Sequence, residues 1–205
     1  TMREDEEKMQ RSIYILLTRS NTLLSKLINL STRDPYTHAA ISFDEKLDFL
    51  YSFARKYSAL ALPAGLVQEH LDKGCYAKTA QMPCALLEVK VNESDFERAK
   101  KAADEMYSHL KNYKYSIIGL FLCKMGVDKK RKGKYFCSQF VSEMLKAARV
   151  DLPKPAGLMR PIDFDLMDNL SCRFRGSLFE LMKKISFRRE LTSKCKLTSQ
   201  SLSCE

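Results

Sequence analysis

A segment in which an amphipathic helix begins with a cysteine constrains the fold most strongly. In "KYFCSQFVSEMLKAARV", residues 134–150, apolar side chains recur at three- and four-residue spacing, which predicts a helix packed on another layer. The same spacing places Cys137 in the first helical turn, just after the basic run "KKRKGK". A helix N-terminus favours a thiolate over a thiol, but cysteine also packs in interiors as a small hydrophobe. The segment alone leaves both interpretations open. The apolar stripe consists of Phe140, Val141, Met144, Leu145 and Ala148.

The other segments predict strands and helices in separate groups rather than in regular alternation. Runs rich in β-forming residues predict strands, and the strands over 38–43 and 49–56 are expected to form a hairpin. Strands are predicted over 12–20, 38–43, 49–56, 75–81, 84–91 and from 172. This grouping favours an α+β fold.

Helices are predicted where apolar residues follow a helical period. The clearest helix covers 92–112, where Ser94 and Glu97 match a capping box. The run "LPAGLVQEHLDKG" predicts a loop and a short helix that ends at Gly74. Further helices are predicted after Asn21, over 115–126, from 137 and as a short helix near 181.

The chain length fits one domain with short extensions. The 205 residues are divided into an N-terminal extension (1–11), one folded domain (12–186) and a basic tail (187–205). The tail is polar and rich in Ser, Thr and Lys, so we predict that it is disordered.

Seven cysteines occur at scattered spacings, without a C-x-x-C pair. This pattern predicts neither a zinc site nor a compact disulfide framework. The first twelve residues are charged and lack the apolar core of a secretory signal. We therefore expect a cytoplasmic protein with reduced thiols; a signal removed ahead of this sequence is the alternative.

The net charge of +10 is concentrated in one loop and at the C-terminal end. Such clusters attract anionic lipid or polymer, although a solvated loop and tail would have the same composition. No alternation of aromatic and basic residues accompanies them, so nucleic acid is not an expected partner. The loop cluster consists of Lys129, Lys130, Arg131, Lys132 and Lys134.

Three histidines are available as a general base for a cysteine nucleophile. His109 lies among polar neighbours of the long helix, and His70 ends a short amphipathic segment, so neither is favoured. His38 opens a strand of small and apolar residues, and Cys137 alone among the thiols combines a helix start with nearby positive charge. The pair is therefore the candidate for nucleophilic catalysis, against the alternative of an ordinary strand histidine and a packed thiol.

The order of the histidine strand and the cysteine helix carries a family resemblance. "YTHAAISFDEKLDFLYSFARK" followed about a hundred residues later by "YFCSQFVSEMLKAA" resembles the permuted NlpC-like papain-fold cysteine hydrolases of the YiiX type. In that branch the histidine strand precedes the cysteine helix. The resemblance covers residues 12–181 and implies a circularly permuted papain-like fold, with an antiparallel sheet or half-barrel packed against helices.

The resemblance also implies roles for particular residues. Cys137 would be the nucleophile and His38 its general base and then acid. The third polar group would fall on the following strand, where Ser52 is nearest; a serine supplies no negative charge, so a backbone carbonyl is the alternative. The backbone N–H of Cys137 would bind the oxyanion, with Tyr135 or Tyr36 as a phenolic donor. The resemblance implies no metal and no cofactor.

The implied reaction is acyl transfer, and three functions stay open. The first is cleavage of an amide bond in a peptide or related acyl amide. The second is a lipid-directed acyl hydrolase or acyltransferase, with the basic loop and tail docked on an anionic membrane. The third is a binding protein that keeps the fold without turnover, favoured by the absent carboxylate. We expect a monomer in each case.

Overall fold

A computed structural model describes residues 10–19, 34–55, 64–73, 76 and 81–201. The helix predicted after Asn21 lies outside these residues, as does most of the strand predicted over 75–81. Side chains are described up to residue 191, except that of Arg55.

The described strands form one open sheet that is mostly antiparallel. The strands are β1 (Gln10–Thr18), β2 (His38–Ser42), β3 (Leu50–Arg55), β4 (Ala64–Glu69), β5 (Pro83–Asn92), β6 (Lys114–Tyr115), β7 (Lys134–Tyr135) and β8 (Ser171–Ser177). Their order across the sheet is β7-β6-β4-β3-β2-β1-β5-β8, and only the short pair β6–β7 is parallel.

The helices lie between and after these strands. The described chain has α1 (Glu93–Ser108), α2 (Ile117–Lys124), α3 (Cys137–Ala147), α4 (Pro161–Asp165) and α5 (Leu178–Ser201), with 3-10 turns at Leu110–Asn112 and Ala156–Leu158. The predicted α+β class is confirmed. None of the helices in the described part of the chain is long and apolar enough to cross a bilayer.

Strand β1 has apolar residues on both of its faces because both faces of the sheet are covered. Ile13, Ile15 and Leu17 pack in a cluster with residues of α1 and α3. Leu16 and Tyr14 pack on the other face, in a cluster that includes residues of α5. The continuous apolar run therefore belongs to a central strand, since alternate side chains of a strand point to opposite faces.

Helix α3 is held against the sheet by the stripe that the sequence predicts. Phe140, Val141 and Leu145 are fully buried in the same cluster as Ile41 of β2 and Phe53 of β3. The rings of Phe53 and Phe140 lie 5.4 Å apart, in the range of favourable aromatic pairs. This packing fixes the helix whose first residue is Cys137.

Three local predictions differ from the structure. The predicted loop and short helix before Gly74 is instead strand β4, paired along its whole length with β3. Helix α1 is capped by Asn92, whose side chain accepts the N–H of Asp95, rather than by a capping box from Ser94. Helix α5 continues to Ser201, well past the start of the predicted disordered tail.

Removing one fully buried ring should cost far more stability than removing an exposed one. We expect Phe140→Ala to lower the free energy of unfolding by about 3–5 kcal/mol, because it leaves a cavity between α3 and the sheet. The matched control, Phe121→Ala, changes a ring that is 62% exposed and should stay within about 0.5 kcal/mol. Urea denaturation measures both, and equal losses in the two variants would contradict the packing described.

Candidate active site

Cys137 is the first residue of α3, where backbone N–H groups have no partner inside the helix. The preceding Phe136 is extended and makes no side-chain cap, and its carbonyl accepts the first helical bond from the N–H of Phe140 at 3.0 Å. The amides of residues 137–139 are thus available to other acceptors. One of them, the N–H of Ser138, donates to the Cys137 sulfur.

The chain before Cys137 is fixed by the parallel pair β6–β7. The N–H of Lys114 donates to the carbonyl of Gly133 at 2.9 Å, and the N–H of Ser116 donates to the carbonyl of Tyr135 at 2.8 Å. On the other side of the sulfur, the Ser138 hydroxyl donates to the carbonyl of Met159 at 2.7 Å. The nucleophile candidate therefore lies on backbone anchored at both sides.

His38, the first residue of β2, lies beside Cys137. The two side chains are hydrogen bonded, and the backbone N–H of Ala39 also donates to the sulfur. The structure thus brings together two predicted site residues that are 99 positions apart in the sequence. Cys137 is only 3% exposed, whereas the His38 side chain is 14% exposed.

The far nitrogen of the imidazole is held by a carboxylate as well as by the predicted serine. His38 Nε2 lies 3.0 Å from Oε2 of Glu69, the last residue of β4, and 3.1 Å from Oγ of Ser52 on β3. The Ser52 hydroxyl is itself 3.1 Å from the carbonyl of Ala39, to which it donates. Glu69 Oε2 also accepts from the hydroxyl of Tyr76 at 3.3 Å.

These contacts assign the tautomer of the His38 imidazole in its neutral form. An ionised carboxylate only accepts, and the Ser52 hydroxyl already donates its proton to the carbonyl of Ala39. Both neighbours of Nε2 therefore require a proton on that nitrogen. Nδ1 is left as the nitrogen that faces the thiol of Cys137, with a lone pair to take its proton.

The environment favours the charged form of His38. Burial by itself lowers the pKa of the imidazole, since it penalises the cation. The negative charge of Glu69 and the hydrogen bonds with Cys137 and Glu69 outweigh burial and raise the pKa to about 10. The imidazolium is consequently the stable form at neutral pH.

The same contacts favour the charged form of Cys137. Burial raises the pKa of the thiol, but the hydrogen bond and positive charge of His38 together with the N–H groups of Ala39 and Ser138 lower it below the ordinary value. The two shifts have opposite signs because each group stabilises the charge of the other. A thiolate–imidazolium pair therefore exists above the lowered thiol pKa and below about pH 10.

A tyrosine that the sequence did not single out lies in the same electrostatic environment. Burial, and then the negative charge of Cys137, raise the pKa of Tyr115 well above its ordinary value. Its phenol thus stays protonated and is able to donate a hydrogen bond. Tyr115 ends β6, which pairs with Tyr135 of β7 two residues before the cysteine.

The two phenols predicted as oxyanion donors have other partners. The Tyr36 hydroxyl accepts a hydrogen bond from Arg175 Nη1 at 2.6 Å. The ring of Tyr135 packs beside Phe53 and Tyr113, at centroid distances of 5.4 Å and 6.1 Å. Among the described contacts, neither phenol is joined to Cys137, so the structure does not bring these two residues into the site.

Glu69 is the site residue that sequence reasoning missed. The third group was predicted on the strand after the histidine strand, and Ser52 does lie there, on β3. The carboxylate comes from β4, the next strand of the sheet. The sequence did carry a signal for this strand, namely the apolar run "GLV" between Pro63 and "QEH". Interpreting the segment as a helix placed the carboxylate away from His38.

No group of three or more His, Cys, Asp or Glu side chains among the described residues could hold a metal ion. Two surface cavities of about 440 Å³ and 330 Å³ lie beside α5, lined by residues such as Ile185 and Arg189.

In comparisons with known proteins, no family model matches the chain and no curated protein matches it.

Removing the charge of Glu69 should weaken the thiolate while preserving the shape of the site. In Glu69→Gln the pKa of His38 falls, so the imidazolium supports the thiolate less and the pKa of Cys137 rises. We expect the pH profile of iodoacetamide alkylation of Cys137 to move to higher pH by about one unit, with a rate about tenfold lower on the acidic limb of the profile.

Two further variants sharpen this measurement. Ser52→Ala removes a neutral acceptor and should move the alkylation profile by much less than Glu69→Gln. Glu105→Gln alters an exposed carboxylate of α1 and should not move it. A profile that is the same in Glu69→Gln and in the unaltered chain would show that the carboxylate does not act on the pair.

Proposed function

We propose that the chain is a thiol-dependent hydrolase that cleaves an amide bond, in a peptide or related acyl amide, through an acyl-enzyme. The observation that carries the proposal is the position of one imidazole between the Cys137 thiol and the Glu69 carboxylate. A nucleophile, a base and a group that orients the base are the constellation that covalent acyl transfer requires.

In the first half-reaction the Cys137 thiolate attacks the carbonyl carbon. The tetrahedral intermediate collapses as the carbon–nitrogen bond breaks, and the His38 imidazolium gives its Nδ1 proton to the departing amine. The products are a free amine and a thioester on Cys137, with a neutral imidazole that keeps its Nε2 proton toward Glu69 and Ser52.

In the second half-reaction water hydrolyses the thioester. Neutral His38 takes a proton from water through Nδ1 while the hydroxide oxygen bonds to the carbonyl carbon. The carbon–sulfur bond then breaks, which releases a carboxylic acid and restores the thiolate–imidazolium pair. Glu69 stabilises the imidazolium each time it forms, without itself exchanging the proton.

Donors for the intermediate come from the start of α3 and from β6. The backbone N–H of Cys137 belongs to the first helical turn, whose amides have no partner within the helix. The protonated phenol of Tyr115 offers a second donor in place of the phenols predicted from the sequence. Ser138, whose N–H already donates to the sulfur, contributes to the thiolate rather than to the oxyanion.

The arrangement also supports the proposed relationship to permuted NlpC-like hydrolases. The histidine strand β2 precedes the cysteine helix α3 in the chain, and α3 packs on an antiparallel part of the sheet. The non-catalytic alternative depended on a missing carboxylate. Glu69 now occupies that role in our proposal, which removes the main argument for a binding protein without turnover.

An activated ester tests acyl transfer without knowledge of the natural substrate. We expect 4-nitrophenyl acetate to give a burst of nitrophenolate, and acid-quenched protein to carry one acetyl group on Cys137 by peptide mass spectrometry. Cys137→Ala should abolish the burst. Cys172→Ala, which removes an exposed free thiol, should keep it. Acetylation spread evenly over the free thiols, with no burst, would refute the proposed nucleophile.

A further inference from the structure

Helix α2 and the residues after it expose a run of large apolar side chains. Ile117, Ile118, Phe121, Met125 and Val127 are between 43% and 62% exposed. We call these five residues the α2 patch. Three of them, Ile117, Phe121 and Met125, recur every four residues and so form one stripe along the helix.

The packing of α2 on the domain does not require these side chains. The helix faces the protein through Gly119 and Cys123, which are buried, and Ser116 caps its N-terminus by accepting the N–H of Gly119 at 3.0 Å. The helix is thus apolar on the side turned to the protein and on the side turned to solvent. Single exposed apolar residues are ordinary, whereas a contiguous exposed group marks a surface that binds something.

The surroundings of the α2 patch are strongly basic. From Ser116 to Lys134 the sequence has six basic residues and a single acidic one, Asp128. The lysines directly beside and after the patch, Lys124, Lys129, Lys130 and Lys132, are exposed. Apolar side chains flanked by exposed lysines are the combination that inserts into the interface of an anionic bilayer.

We propose that the α2 patch and its flanking lysines dock the protein on an anionic lipid bilayer. Apolar side chains enter the boundary between headgroups and acyl chains, and the lysines contact lipid phosphates and carboxylates. Lipid fits better than a protein partner because lysine is depleted from protein interfaces, while long lysine side chains suit a mobile headgroup layer.

Docking of this kind would bring the bilayer next to the candidate nucleophile. The α2 patch begins directly after Ser116, whose N–H donates at 2.8 Å to the carbonyl of Tyr135, two residues before Cys137. The substrate class would then be an acyl amide or ester of a membrane lipid. This last step rests on the proposed hydrolase function, whereas docking itself does not.

Co-sedimentation with vesicles tests the docking surface. We expect the protein to bind vesicles of phosphatidylcholine with 30% phosphatidylserine, to bind pure phosphatidylcholine much more weakly, and to dissociate as salt is raised. Phe121→Ser and the double variant Lys129→Glu/Lys130→Glu should each weaken binding by about tenfold or more. Thermal unfolding of each variant should match the unaltered chain, since these side chains are exposed.

Matched controls use similar side chains elsewhere on the surface. Phe187→Ser alters a ring of α5 that is 64% exposed, and Lys100→Glu/Lys101→Glu reverses two neighbouring charges on α1. Neither should reduce binding to anionic vesicles. If these controls weaken binding as much as the patch variants do, or if the patch variants bind normally, the docking surface is refuted.

A fluorescence measurement reports insertion directly, because the chain contains no tryptophan. Phe121→Trp should shift its emission to the blue on anionic vesicles, whereas Phe187→Trp should not. Equal shifts, or no shift in Phe121→Trp, would overturn the proposal. Cys137→Ala should dock normally. In the unaltered chain, vesicle binding without an ester burst refutes the hydrolase alone, and a burst without binding refutes docking alone.

Discussion

The candidate site depends on the interactions of the His38 imidazole with the thiol of Cys137 on one side and the carboxylate of Glu69 on the other. Burial penalises the charge of His38 and of Cys137 alike. For His38 the penalty is overcome by the negative charge of Glu69 and by the hydrogen bonds with Cys137 and Glu69, and for Cys137 chiefly by the hydrogen bond and the positive charge of His38. Glu69 makes the arrangement asymmetric, because its negative charge favours the imidazolium on the side away from the sulfur. Burial would otherwise favour the neutral thiol, and groups on β2, β4 and α3 together favour the thiolate instead.

The sheet supplies these groups because its strand order brings distant segments together. β2, β3 and β4 are adjacent, so one strand end provides His38, the next strand Ser52 and the third Glu69. The sulfur comes from the other layer, where α3 packs on the same strands through Phe140 and its neighbours. The site thus needs both layers in place, and damage to the α3 interface would disturb its geometry as well as its stability.

The sequence predicts the parts of this arrangement that local pattern determines. The apolar run of β1, the hairpin of β2 and β3, and the stripe of α3 are each visible in a short window, as are the strand start at His38 and the helix start at Cys137 taken separately. Strand β4 was misassigned because its ending resembles a helix that stops at a glycine, while its actual stability comes from pairing with β3. The positions of Glu69 and Tyr115 depend on long-range strand pairing, which brings Glu69 to His38 and pairs Tyr115 with Tyr135, two residues before Cys137.

The two-residue pair β6–β7 anchors the chain between the loop of residues 125–132 and Cys137. Its hydrogen bonds join the N–H of Lys114 to the carbonyl of Gly133 and the N–H of Ser116 to the carbonyl of Tyr135. The exposed lysines of the loop can therefore be exchanged while the backbone before Cys137 keeps these bonds. The surface that this segment presents can thus vary independently of the candidate site.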